Sequence, residues 1–317
     1  VTGFEQVNET SLWPHRLAVA TVGATLGLIF VGGLVTNTGS ALAVPDWPTT
    51  FGYNMFLYPW SKMVGGIFYE HSHRLLGSAV GLLTMLLAIW LWLREARRWV
   101  RLLGVVAVAA VIVQGILGGM RVVLQDHDLA LVHGCVAQAF LALMVTLAVV
   151  TSAPWHTAPQ CEPLRAPTPL AILARVTVPL VYVQLVFGAL LTHTGGELAW
   201  HVTFAALLTC AVVLLARRAL FEAAAHPELR RPAILLVVLL AIQLSLGLGA
   251  YAWRFMTLSV SVPAEVGLAV LALHRLTGAA LWATVVGLAL RVLRLVRPAA
   301  AATHVAVAAG RGHRVVA

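Results

Sequence analysis

The chain has 317 residues, of which 60% are hydrophobic and only 10% charged, where a soluble domain carries roughly a quarter charged residues. This balance excludes an ordinary soluble globular protein and points to an integral membrane protein. The net charge of +9 is not read as a nucleic-acid signature, because the basic residues sort by connection between apolar runs.

In chain order, the N-terminal stretch lacks the charged region, short apolar core and small-residue cleavage pattern of a signal peptide, so the first apolar run is expected to be a true span. Runs long enough to cross a hydrocarbon core of about 30 Å fall at about 17–36, 75–93, 102–120, 129–151, 170–192, 198–216, 232–252 and 266–290. Backbone groups in lipid must be satisfied within the segment, so these runs are expected to be helices. The alternation of a transmembrane barrel is absent. Cys135, Cys161 and Cys210 show no paired spacing, and no disulfide framework, zinc site or CxxC motif is indicated.

Basic residues orient the spans. Arg16 precedes the first. "REARRWVR", Arg165 with Arg175, and Arg217, Arg218, Arg230 and Arg231 follow the second, fourth and sixth. Arg291, Arg294, Arg297, Arg311 and Arg314 follow the eighth. By the positive-inside rule both termini are expected on the cytoplasmic side. The first outer connection, about 37–70 with "PDWPTTFGYNMFLYPW", is rich in Pro, Gly and aromatics, and reads as an ordered loop able to cover the bundle.

The two halves of the chain repeat. "LVTNTGSALA" (34–43) matches "LLTHTGGELA" (190–199), and "VQGILGG" (113–119) resembles "IQLSLGLG" (242–249). His73 corresponds to His201, and His133 to His274. The expected fold is therefore an all-α polytopic membrane protein, with eight transmembrane helices arranged as two duplicated four-helix bundles. Its parts are a cytoplasmic N-terminus (1–16), a first bundle (17–151), a linker (152–169), a second bundle (170–296) and a cytoplasmic tail (297–317).

Of the 12 His, His73, His133, His201 and His274 fall near the expected outer ends of the even-numbered spans, two per repeat. Each has a small residue four positions on, Gly77, Ala137, Ala205 and Gly278, and so on the same helix face. A flat surface beside an imidazole suits a porphyrin edge. Two imidazoles from facing helices can clamp one haem iron, whereas zinc asks for three or four ligands. Arg74 and Arg275 directly follow His73 and His274, while Arg121 and Arg254 end the third and seventh spans, where propionates need charge-assisted hydrogen bonds. Glu70 lies three residues before His73, with Leu198 at the matching offset before His201. It is either a helix-dipole partner or a carboxylate placed to handle protons beside one haem.

These residues together resemble the haem A synthase family over about 17–290, on "TNTGSALAVPDWP", "EHSHR", "QGILGGMR", "QLVFGALLTHTG" and the four spaced His. The resemblance implies an oxidoreductase that converts haem O to haem A for terminal oxidases. It oxidises the C8 methyl to a formyl group by two hydroxylations with molecular oxygen, a gem-diol then losing water. It implies that His73 and His133, with Arg74 and Arg121, address the substrate haem in the first half, and that Glu70 is the catalytic acid. His201 and His274, with Arg275 and Arg254, would hold haem b as cofactor in the second half. The implied partners are haem O, handed over by haem O synthase, an unknown electron donor and the lipid bilayer of a bacterial inner membrane, with no nucleic acid. Many bacterial relatives carry a Cys pair in the first outer loop; residues 37–70 here contain none. Because two axial imidazoles leave iron no open position, either one first-half His is expected to release, His133 rather than His73, or oxidation is expected at the ring edge. A dihaem b-type electron-transfer cytochrome and a haem-binding carrier stand as the alternatives.

Overall fold

The computed structural model describes residues 12–156, 164–165, 168–257 and 262–297. The segment 1–11, most of the linker with Cys161, and the tail from 298 with Arg311 and Arg314 lie outside the described residues. Among the described residues, eight helices are long and apolar enough to cross a membrane. They are α1 (Trp13–Asn37), α2 (Gly66–Arg94), α3 (Arg98–Leu124), α4 (His127–Val150), α6 (Pro169–Thr194), α7 (Leu198–Glu222), α8 (Arg230–Phe255) and α9 (Ala264–Leu295). A one-turn α5 (Ala153–His156) follows α4, and Leu164–Arg165 pairs in parallel with Val296–Arg297. The chain is an all-helical, multi-pass membrane protein.

The helices satisfy their own polar groups. Thr21, Thr84, Thr177 and Thr209 donate their hydroxyls to carbonyls one turn back, those of Leu17, Val80, Leu173 and Ala205, at 2.7–2.8 Å, which removes the cost of a bare hydroxyl in hydrocarbon. Helix α2 starts at Gly66, well before the apolar run at 75. Glu70, His71, His73 and Arg74 depress the hydropathy there, yet all four are helical.

The chain clusters into two compact units. In the first, α1 neighbours α2 and α2 neighbours α3. Val80, Leu87, Leu91, Val100 and Ala107 form its core with Phe140, Met144, Leu147 and Val150 from the second half of α4. Arg97, in the α2–α3 turn, grips Glu95 with Nε at 2.9 Å and Nη2 at 2.8 Å, and donates to the Val150 carbonyl at 2.9 Å. The Arg97 hydrogen bonds hold the Glu95 carboxyl below the usual carboxylate range, outweighing the opposing effect of burial.

In the second unit α6, α7, α8 and α9 close a ring, each packed on the next and α9 on α6. Residues 127–138 of α4 belong to this unit. Tyr182 donates its hydroxyl to the Cys135 carbonyl (3.2 Å) and Trp282 its indole N–H to the Gln138 carbonyl (2.9 Å).

Candidate functional site

The first unit concentrates its charge where the loop 38–65 meets the start of α2. Glu70, 4% exposed, accepts the Val44 N–H on Oε2 and Arg74 Nη2 on Oε1, both at 2.9 Å. Four residues apart on a helix, Glu70 and Arg74 face the same way. Arg74 Nη1 also donates to the carbonyls of Asp46 (2.6 Å) and Thr49 (3.0 Å), and Nη2 to that of Val44 (2.9 Å). A guanidinium carries four hydrogens on its two terminal nitrogens, and four acceptors take them. Val44 is pinned through both its N–H and its carbonyl.

The loop is organised around Asp46. Its carboxylate accepts from the Thr49 hydroxyl, the Phe51 N–H (2.7 Å) and the Gly52 N–H (2.9 Å), which holds Phe51 at φ +49°, a conformation bulky residues rarely adopt. Burial acts to raise the Asp46 carboxyl pKa, but the bonds from Gly52, Thr49 and Phe51 prevail and hold it below its ordinary value. Trp47 lies on Gly119 of α3, where an added Cβ would fall 2.3 Å from the indole. Only glycine permits that approach.

His71, absent from the sequence-derived site, is 1% exposed. Its Nδ1 meets the Thr50 hydroxyl at 3.1 Å and its ring lies 5.1 Å from that of Tyr58. It sits beneath the loop. His73 is half-buried and turned toward α1, with Cε1 3.0 Å from the Cβ that Gly32 lacks. Four residues on, Gly77 faces open space, with nothing within 4 Å of an added Cβ. Arg121 is half-buried, within electrostatic reach of Glu70.

The second unit repeats the imidazole seat twice. Cε1 of His201 lies 3.2 Å from a Cβ built on Gly188 of α6, and Cε1 of His274 lies 3.0 Å from one built on Gly247 of α8. His201 and His274 are within electrostatic reach of each other. Gln184 Nε2 lies 3.1 Å from His201 Nδ1, and Gln243 Nε2 3.3 Å from His274 Nε2. Nδ1 of His274 is buried with no hydrogen-bond partner among the described residues. Arg275 has no hydrogen bond or ion pair among the described residues, whereas Arg254 is exposed at the end of α8. The space beside Gly278 is taken by Gln243, whose Nε2 would lie 3.3 Å from an added Cβ. His133 is half-buried in the part of α4 that clusters with this unit.

A model of the family described as "Cytochrome oxidase assembly protein" (COX15-CtaA) matches residues 15–204. The chain belongs to this family. It is 36% identical over 190 residues to "Heme A synthase" of Shouchella clausii, covering 58% of this chain and 60% of that protein. It is 33% identical over 145 residues to the enzyme of the same name from Alkalihalophilus pseudofirmus, covering 43% and 46%. The alignment with "Heme A synthase" of Bacillus licheniformis is 28% identical over 187 residues and covers 58% and 60%. The chain thus spans less than two thirds of the length of the relatives it matches. The family match includes Glu70, His71, His73, Arg74, Arg121, His133 and His201, and ends before α8 and α9.

Within this family member, the Gly partners of the imidazoles escaped the sequence reading, although for Gly188 and Gly247 a signal was there. Gln114–Gly118, Gln184–Gly188 and Gln243–Gly247 share one spacing on α3, α6 and α8, which puts each Gln one turn before its Gly on one face.

Proposed function

We propose that this chain is a haem A synthase, an oxidoreductase that converts the C8 methyl of haem O to a formyl group. In this reading Glu70, His73, Arg74 and Arg121 of the first unit serve the substrate haem, and His201, His274, Arg275 and Arg254 of the second hold haem b. The observation that carries it is the thrice-repeated seating of an imidazole edge on a glycine of the preceding helix, at 3.0–3.2 Å from the missing Cβ. Such seats fix ring planes in a duplicated frame, as an axial ligand set requires.

The residues of the second unit fit haem b. Among the described residues, a buried ring nitrogen on His274 lacks a partner, Arg275 next to it has no hydrogen bond or ion pair, and no group of three or more His, Cys, Asp or Glu gathers as a bare ion would ask. Bound there, haem b supplies one-electron transfer. His201 and His274 would hold its iron, and Arg275 and Arg254 would meet its propionates.

In the first unit, Glu70 has one donor on each oxygen and keeps further lone pairs for a proton at the reacting methyl. Arg74 spends its terminal hydrogens on the loop and on Glu70, so we assign it to holding the substrate site closed. Arg121, within reach of Glu70, takes the propionate. The loop excludes water, which strengthens every charge interaction beneath it. In this reading both termini lie on the cytoplasmic side of the inner membrane and this loop on the outer face, an orientation that the basic connections support. Haem O arrives from haem O synthase, and the electron donor is a separate redox partner.

Product analysis tests the reading. Purified chain given haem O, oxygen and reductant is expected to yield a formyl-bearing haem in the pyridine haemochrome spectrum, and Glu70→Ala to lower the yield by about 10²–10⁴-fold. An absence of formyl haem from the wild type, with the Glu70→Ala variant behaving identically, sinks it.

A further inference from the structure

We infer that Gln184 and Gln243 are positioning residues that set the ring plane and tautomer of His201 and His274. The inference rests on the reading that these two imidazoles ligate haem b. A metal-bound imidazole gives one nitrogen to the metal and donates its other N–H to an acceptor, which fixes ring orientation and raises ligand basicity. In each seat of the second unit the neighbouring group is a carboxamide. Gln184 lies 3.1 Å from His201 Nδ1 and 3.5 Å from its Nε2, so it engages mainly one nitrogen. Gln243 engages Nε2 of His274 at 3.3 Å and leaves Nδ1 without a partner.

The two braces are built alike. Gln184 stands one turn before Gly188, and Gln243 one turn before Gly247, so one helix face supplies both the seat and the brace for each imidazole. Gln184 Nε2 is further tied to the His201 backbone carbonyl at 3.1 Å. At Gly278 a methyl group would crowd Gln243 Nε2 at 3.3 Å, so the small residue there keeps room for the amide.

Oε1 of Gln184 and of Gln243 are both buried with no hydrogen-bond partner among the described residues. Buried acceptors left bare are costly. A half-turn of each amide exchanges its nitrogen for its oxygen beside the ring. At Gln184 this trades the bond to the His201 carbonyl for one from the imidazole. The amide then accepts the N–H that an iron-bound imidazole must present. One rearrangement thus occupies both bare oxygens and leaves the free ring nitrogen of His274 for iron.

The test is a redox titration and low-temperature EPR of haem b in the purified full chain, comparing wild type with Gln184→Leu, Gln243→Leu and the near-isosteric Gln184→Glu and Gln243→Glu. Each Leu variant is expected to lose about tenfold in haem b affinity and to shift the midpoint potential positive, because the imidazole loses its acceptor. Each Glu variant, a stronger acceptor, is expected to shift it negative and to retain haem. Ser245→Ala, on the exposed part of α8, is expected to shift neither. Potentials and EPR signals unchanged in all four Gln variants, with haem b still lost in His201→Ala, overturn the role of the amides and leave the haem reading standing. Haem b retained in both His201→Ala and His274→Ala overturns that reading itself.

Discussion

The two units solve the problem of buried charge in opposite ways. In the first, Glu70 and Arg74 consume each other and the loop: three carbonyls and one N–H between Val44 and Thr49 complete the set. In the second, Arg275 stands beside His274 without an internal counter-ion among the described residues, and the imidazoles are held by neutral amides. A closed network stabilises a fixed lid. Among the described residues, Arg275 without a counter-ion and His274 Nδ1 without a partner leave the second unit a polar set that the proposed haem would complete. The proposed division of roles, a covered substrate site in the first unit and a haem b site in the second, follows this contrast.

Breaking the closed network has the largest expected effect. Arg74→Ala leaves Glu70 buried without its cation and three carbonyls without donors, a loss of about 3–5 kcal/mol. Faster proteolysis between Thr50 and Lys62 and a lower Tm report it. The matching change in the second unit, Arg275→Ala, removes no internal partner, and is expected to leave Tm unchanged in chain lacking haem. An equal fall in both variants erases the contrast.

A smaller effect is expected from filling the contact between loop and helix. Gly119→Ala puts a methyl group into the Trp47 indole and costs about 1–3 kcal/mol. Gly77→Ala, facing open space, is expected to leave the empty protein unchanged and to weaken substrate binding. Thermal unfolding separates the two.

The smallest effect is a pH dependence confined to the lid. The Asp46 carboxyl is held below its ordinary value, so its contribution is fully present above about pH 4 and is lost as pH falls further, through the folded-state value. Amide exchange at Phe51 and Gly52 is expected to accelerate on acidification in wild type. Asp46→Asn is expected to exchange fast at every pH.

The number and order of the spans were legible because hydrocarbon admits little besides apolar helices. The start of α2 was not: a hydropathy reading begins at Leu75, after the charged turns that the fold buries with partners. Those partners were hidden because backbone carbonyls, such as the Val44, Asp46 and Thr49 acceptors of Arg74, carry no side-chain signature. His71 was passed over beside His73, since nothing in "EHSHR" says which imidazole turns toward the loop. The spacing of His73, His201 and His274 was readable. The Gln–Gly spacing on α6 and α8 hinted at two of their glycine seats, but Gly32 carries no such mark and shows itself only when α1 is laid against α2.

The central claim is that the imidazoles of the second unit are haem ligands. Extraction and chromatography of the haem held by purified wild type, His201→Ala and His274→Ala test it most directly. The account predicts haem b in wild type, with a low-spin spectrum that either substitution abolishes. Wild type purified and reconstituted without any Soret band, or variants that keep the wild-type spectrum, would contradict it.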